Sequence, residues 1–440
     1  MADLRLTIAE DAASWQLTWS LDGRSLADTP MVPANATRAL HRLGRELVDA
    51  FSARSADGFA RLPFVPASAV RDVGRELFDL CCKPVWDGVQ LDGGGHRLMV
   101  QSRVPAALNL PWELLPLAAD GGPVGCDPAW RLYRTPLADV LDAGRPDRPG
   151  PLRILFLAAA PEDQHALDYE KEEDAILKAT ATLRGVVLHT ADLGTFDELA
   201  DLVKQVRPHV VHLSGHGRLG DDGAGVFCFE DDAGRTDART ARDLAERVFH
   251  GSTVQCVFLN GCETAQAAVA GLCQGLVTAG VPLALGWAAS VADDRATNFA
   301  ERFYHELAAG EPVPAAVALA RLRIQKEGVR PHAAQGEDAQ ELTFVLPQLY
   351  AAAPIEQLFD PDKPAEKYIG PKTEYELLKG GVVGLREGFV GRRREQQRLV
   401  PALRTGETLF VLLHGMGGQG KSTLATRIAG RLKPQGFRFV

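Results

Sequence analysis

The first twenty residues alternate apolar and polar positions: LRLTI, a polar stretch, then WQLTW. That period of two predicts a β-hairpin. Apolar residues then recur at helical spacing over 36–51 and 67–82, and Arg97–Val104 alternates again as a strand. The segment 144–151, GRPDRPGP, gathers chain breakers and marks a boundary. From Leu152 the pattern changes. Short apolar runs (RILFLAAAP, VVLHT, HVVHLS, VQCVFLN) alternate with helical stretches at 168–183, 196–206 and 240–249. Such alternation predicts a parallel sheet with helices on both faces.

Ala265 to Ala292 carries no charge and is long enough to cross a bilayer. Gly280, Pro282 and Gly286 break it, and Gln266 and Gln274 dilute it. It therefore reads as a buried helix, 265–279, and a buried strand, Leu283–Trp287. Helices at 297–309 and 314–325 and a last strand at 342–349, closing the sheet, complete this region. Residues 352–388 have the weak periodicity of a linker. Beyond them lie FVGRRREQQRLVPALR, an apolar strand LFVLL and a Gly-rich loop. The expected organisation is an α+β accessory region over 1–150, an α/β domain over 151–352, a linker over 353–388 and a further domain fragment over 389–440.

Composition changes this picture little. The chain has 440 residues, 46% hydrophobic and 24% charged, with a formal charge of −9. That balance argues against nucleic-acid binding by bulk charge. Seven cysteines at irregular spacing, with no Cys/His ligand ladder, argue against a disulfide scaffold or a zinc finger and fit a reducing cytoplasm. The N-terminus has no basic segment leading into an apolar one, so no signal peptide is expected.

Two of the apolar runs lead into reactive side chains. HVVHLS delivers Gly215-His216-Gly217, and VQCVFLN delivers Gly261-Cys262-Glu263. In one parallel sheet both strand ends lie at the carboxyl edge, where open α/β sheets place their sites. His216 and Cys262 would then be neighbours, as a nucleophile and its base must be. The flanking glycines would admit a substrate backbone and leave amide N–H groups free for an oxyanion. His212 and Cys256, in mid-strand, read instead as core residues.

These segments, VVHLSGHG and VFLNGC, resemble the His and Cys motifs of the CHAT domain, a caspase-like cysteine peptidase module of the caspase/separase clan. The similarity continues through VADDRATNFAERFYHELAAGEPVPAAVALARLRI and, upstream, through NLPWELLPL and LYRTPL. The resemblance implies a caspase-like parallel-sheet core, with Cys262 as nucleophile and His216 as its proton-transfer partner. The backbone N–H groups of Gly217 and Cys262 would form the oxyanion hole. The peptidase would need no cofactor, and its partner would be a protein substrate. Asp293 and Asp294, after the Cys strand, stand where relatives place a group that would receive a basic P1 residue; they read equally as caps of the following helix. The family's Trp-Pro turn is replaced here by Trp287-Ala-Ala-Ser.

Gly415-Met-Gly-Gly-Gln-Gly-Lys421-Ser422-Thr423 fits GxxxxGK[ST], the P-loop, between the strand LFVLL and the helix STLATRIAGRL. Amides of Gly415, Gly417, Gly418 and Gly420 would cradle phosphates. Lys421 would reach the β/γ-phosphates and Ser422 would ligate Mg²⁺, with ATP as nucleotide. FVGRRREQQRL resembles the opening motif of STAND/NB-ARC signalling ATPases; otherwise Arg392–Arg394 is a solvated basic turn. Val440 follows too soon after Lys421 for the remainder of such a domain, so a truncated NTPase without hydrolysis is expected. The combined reading is a CHAT peptidase governed by a self-assembling signalling ATPase in bacterial defence or programmed death. The rival is a non-catalytic CHAT platform on a nucleotide switch.

Overall fold

The computed structural model describes residues 1–11, 14–26, 64–89, 91, 94–137, 149–164, 169–181, 185–191, 193–220, 223–231, 234–261, 266–289, 291–331, 338–360, 363 and 392–432. The helix expected over 36–51 and most of the linker lie outside them.

Sixteen strands are described. In chain order they are β1 (Ala2–Asp11), β2 (Ser14–Leu21), β3 (Arg24–Ser25), β4 (Phe64–Pro66), β5 (His96–Ser102), β6 (Trp130–Thr135), β7 (Leu152–Ala158) and β8 (Val186–Thr190). There follow β9 (Val210–Leu219), β10 (Gly225–Glu230), β11 (Thr236–Thr240), β12 (Cys256–Gly261), β13 (Leu283–Trp287), β14 (Val329–Pro331), β15 (Asp338–Glu341) and β16 (Pro347–Ala351). The longer helices are α1 (Ala67–Cys81), α2 (Tyr169–Ala181), α3 (Phe196–Val206), α4 (Gln266–Thr278), α5 (Asp293–Ala308), α6 (Val313–Glu327), α7 (Arg393–Arg404) and α8 (Lys421–Leu432).

Thirteen strands form one sheet, in the path β11-β10-β9-β12-β13-β16-β6-β5-β1-β2-β3, with β7 against β9 and β8 against β7. Strands β4, β14 and β15 form a small separate sheet. The N-terminal hairpin is as expected, β1 antiparallel to β2 from Leu4↔Leu21 to Asp11↔Ser14. Strands β7, β12 and β13 are buried along their whole length. Such continuous apolar runs follow from cover on both faces. Leu155, Leu157, Val211, Leu213, Val257 and Leu259 pack with α3 and α4 on one face. The alternate residues Ile154, Phe156, Val210 and Phe258 pack with α2, α5 and α6 on the other.

Four expectations are corrected. The last strand starts at Pro347, because Leu342–Val345 is wound into a buried 3₁₀ turn. It does not close an edge either: β16 runs antiparallel to β13 and parallel to β6, so strands from both sides of the 144–151 break share one sheet. The helix expected over 240–249 divides into a short turn, Ala241–Leu244, capped by Thr240 and Asp243, and a wider turn, Ala245–Phe249. Finally, 409–413 forms no strand, and Leu409, Phe410 and Leu412 are exposed. An apolar run becomes a strand only where a neighbour takes its backbone hydrogen bonds, and no such neighbour exists among the described residues.

Candidate active site

Strand β9 carries the site. Val210 to Gly215 lies parallel to β12, and the last two pairs are Ser214↔Asn260 and Gly215↔Gly261. The strand does not stop there, as the sequence led us to expect. From His216 it continues antiparallel to β10, with His216 opposite Cys228 and Gly217 opposite Phe227. His216 is therefore held within a strand, and it is buried. Cys262 is the next residue after Gly261 and lies, with Glu263, outside the described residues. What is described is that Gly215 and Gly261, the residues before His216 and Cys262, are register partners on neighbouring parallel strands. Strand β13, parallel to β12, ends at the same edge.

Close packing requires glycine at two positions of this edge. A Cβ on Gly215 would fall 2.5 Å from Phe227 Cζ and 3.1 Å from the Ala159 oxygen, so this glycine makes room for the protein's own core. A Cβ on Gly261 would fall 3.0 Å from the Gly215 oxygen and 3.6 Å from the Gly217 nitrogen. The two chains thus touch closely, and the Gly217 amide lies beside Gly261.

Beneath this edge is a buried polar network. Glu172, on α2, accepts from Ser214 Oγ at 2.7 Å and from Asn260 Nδ2. Asn260 Oδ1 accepts from Trp287 Nε1 at 2.6 Å. His212 Nε2 is 3.1 Å from Glu172 Oε1, close but not aligned as a hydrogen bond, and His212 Nδ1 meets Tyr304 Oη at 2.9 Å. His212 is wholly buried between the rings of Phe156 and Phe258, as a core histidine should be.

Sequence reasoning overlooked Glu172, which sits in the charged run YEKEED. Its phase was the available signal: Tyr169, Glu172, Glu173, Ile176 and Thr180 form one buried stripe at helical spacing. It also overlooked Cys228. Burial raises that thiol's pKa, against the opposing pull of the Arg218 guanidinium. Burial alone pushes Cys256 up to about 12. All six described cysteines are free and buried. No group of three or more potential metal ligands occurs among the described residues.

Asp293 and Asp294 open α5, which starts earlier than the expected 297. The capping position is Ala292, without a side-chain hydrogen bond. Asp294 is exposed, on the segment leaving β13 at the site edge.

The P-loop residues form a separate unit with α7 and α8, cored by Val400, Leu424, Ile428 and Leu432. Gly418 and Gly420 have left-handed φ of 79° and 75°, which fits the motif's need for glycine. Lys421 Nζ donates to the Met416 carbonyl at 2.6 Å. Arg392 is exposed, and its guanidinium contacts Glu395 at 2.7 Å and the Gln419 carbonyl at 3.3 Å.

A family model described as CHAT domain matches residues 71–335. No curated protein matches the sequence. Among solved structures, the crystal structures of the Saccharomyces cerevisiae separase-securin complex at 3.0 and 2.6 Å resolution are similar at 11% identity. Their TM-scores are 0.41 and 0.38; the matches cover 79% of this chain and 30% of the other.

Proposed function

The chain belongs to the CHAT-domain family, and from that premise we propose that it is a caspase-like cysteine endopeptidase. The observation that supports this best is the Gly215↔Gly261 register, because His216 and Cys262 are the next residues along these two neighbouring strands. In the proposed reaction, His216 takes the Cys262 thiol proton and Cys262 Sγ bonds to the scissile carbonyl carbon. The Gly217 and Cys262 amides hold the oxyanion. The proton then passes to the amine as the C–N bond breaks, and water hydrolyses the thioester. Asp293 and Asp294 would receive a basic P1 side chain; a positional-scanning peptide library preferring P1 Asp or an apolar residue removes that assignment.

The second part of the proposal is regulation by an attached STAND-type ATPase, in bacterial defence or programmed death. It is supported by the P-loop sequence, the left-handed Gly418 and Gly420, and Arg392 touching the loop. Gly415, Gly417, Gly418, Gly420, Lys421, Ser422 and Thr423 would hold ATP and Mg²⁺, which supply phosphate charge for the loop to read. The rival reading, a non-catalytic platform, is favoured by the burial of His216.

Labelling separates the two. A small thiol-reactive chloroacetamide should modify Cys262 at least ~10-fold faster than Cys256 or Cys273, because only a thiolate reacts and burial suppresses the others. His216→Ala should remove that selectivity. Uniformly slow labelling favours the platform. Preferential labelling of Cys228 moves the nucleophile to the opposite side of His216.

A further inference from the structure

We propose that Glu172 is the positioning residue of this site, a buried carboxylate that ties the His216 and Cys262 strands together through Ser214 and Asn260. The proposal rests on the peptidase reading above. Ser214 and Asn260 are register partners on β9 and β12, and each stands two residues before one member of the dyad. Side chains at i and i+2 share a sheet face. Ser214 and His216 therefore face the helix layer that contains α2, and Glu172 reaches the sheet from that layer.

The two carboxylate oxygens divide the task. Oε2 takes the Ser214 hydroxyl at 2.7 Å, and Oε1 takes the Asn260 amide. The amide's own oxygen is fixed by the Trp287 indole at 2.6 Å, so the brace extends to β13, the third strand of the edge. His212, beside the same carboxylate and hydrogen-bonded to Tyr304 on α5, limits its sideways movement. Glu172's side chain is 5% exposed. An ionisable group this deep is costly to bury unless its oxygens are satisfied. An apolar residue would fill the space equally well, and leucine or isoleucine does so elsewhere on this face. What an apolar residue cannot do is link the Ser214 and Asn260 side chains of two neighbouring strands where a proton must pass between them.

The test uses the 440-residue chain and two readouts. Glu172→Met keeps the side chain's length and removes both acceptors. It should lower kcat on the order of 10²-fold, as misplacement by about an ångström does, while KM changes by less than about threefold. Alkylation of Cys262 should slow in parallel. Added to His216→Ala, the same substitution should change alkylation by less than about twofold, because groups acting through one another are not additive. Unchanged kcat and alkylation in Glu172→Met, or a full further loss on the His216→Ala background, overturns the proposal. Should Glu172→Met fail to fold, Ser214→Ala removes one arm only. It should slow Cys262 alkylation by about threefold or more, and a wild-type rate overturns the brace. A His216→Ala chain that alkylates as fast as wild type instead overturns the dyad, the reading on which the brace depends.

Discussion

Cys262→Ala should reduce peptide cleavage on the order of 10⁶-fold, to the level of bound but unattacked substrate. The melting temperature should stay within about 2 °C of wild type. The two halves of that expectation have different causes. Bond formation to the scissile carbonyl depends wholly on the thiolate, and the six described cysteines are all buried. Cys256, on β12, and Cys273, on α4, are both buried, and their thiols stay protonated at neutral pH. Cys228 faces His216 from β10, but it too is buried and its pKa is raised. Stability, by contrast, loses one sulfur atom. The measurement is turnover of a peptide library with calorimetry of both proteins. Equal cleavage by the two sinks the peptidase assignment. Residual cleavage lost only in a Cys262→Ala, Cys228→Ala double variant shows that Cys228 acts in its place.

What the sequence made legible follows from how far each signal travels along the chain. Strands β7, β9, β12 and β13 were readable because two-sided cover demands unbroken apolar runs, and such runs are local. The continuation of β9 past His216 was not readable. It depends on β10, a hairpin strand whose register with Gly217 is set by Phe227 filling the space that Gly215 leaves. For the same reason LFVLL misled: its five residues have a strand's composition, yet pairing is a property of the partner. The 3₁₀ turn at Leu342–Val345 is as apolar as a strand, and only Pro347 marks the start of β16. Within the site, His216 and the neighbourhood of Cys262 announced themselves by glycine and position. Glu172 did not, because it and its buried neighbour Glu173 stand in a run of five charges whose other three are exposed or half-buried, and only the helix phase separates them.

Glu113→Ala should be the most destabilising single substitution away from the site, at about 3–5 kcal/mol. Glu113 lies in the 3₁₀ turn Trp112–Leu114, wholly buried, and its carboxylate serves two buried guanidinium groups. Arg134, on β6, meets both oxygens at 2.6 Å and also donates to the Leu108 and Leu110 carbonyls. Arg321, on α6, reaches one oxygen at 2.9 Å and donates to the Gly125 and Pro347 carbonyls. The two arginines respond oppositely. Burial pulls both down, but the bidentate charge of Glu113 holds Arg134 above its ordinary value, whereas Arg321, with one oxygen and Arg134's like charge nearby, stays below. Neither guanidinium deprotonates near neutrality. Removing the carboxylate therefore leaves two like charges, dry and unpaired, at the junction where β16 meets β6. The motif segments NLPWELLPL, LYRTPL and ALARLRI each contribute one member of this triad, which is a physical reason for them to occur together. Guanidinium chloride melts of wild type and Glu113→Ala measure the loss. The partly exposed Asp3–Arg5 pair supplies the control: Asp3→Ala should cost less than about 1 kcal/mol. A Glu113→Ala midpoint no lower than that of Asp3→Ala would show that backbone carbonyls alone satisfy both arginines, and that the junction is held by its apolar contacts.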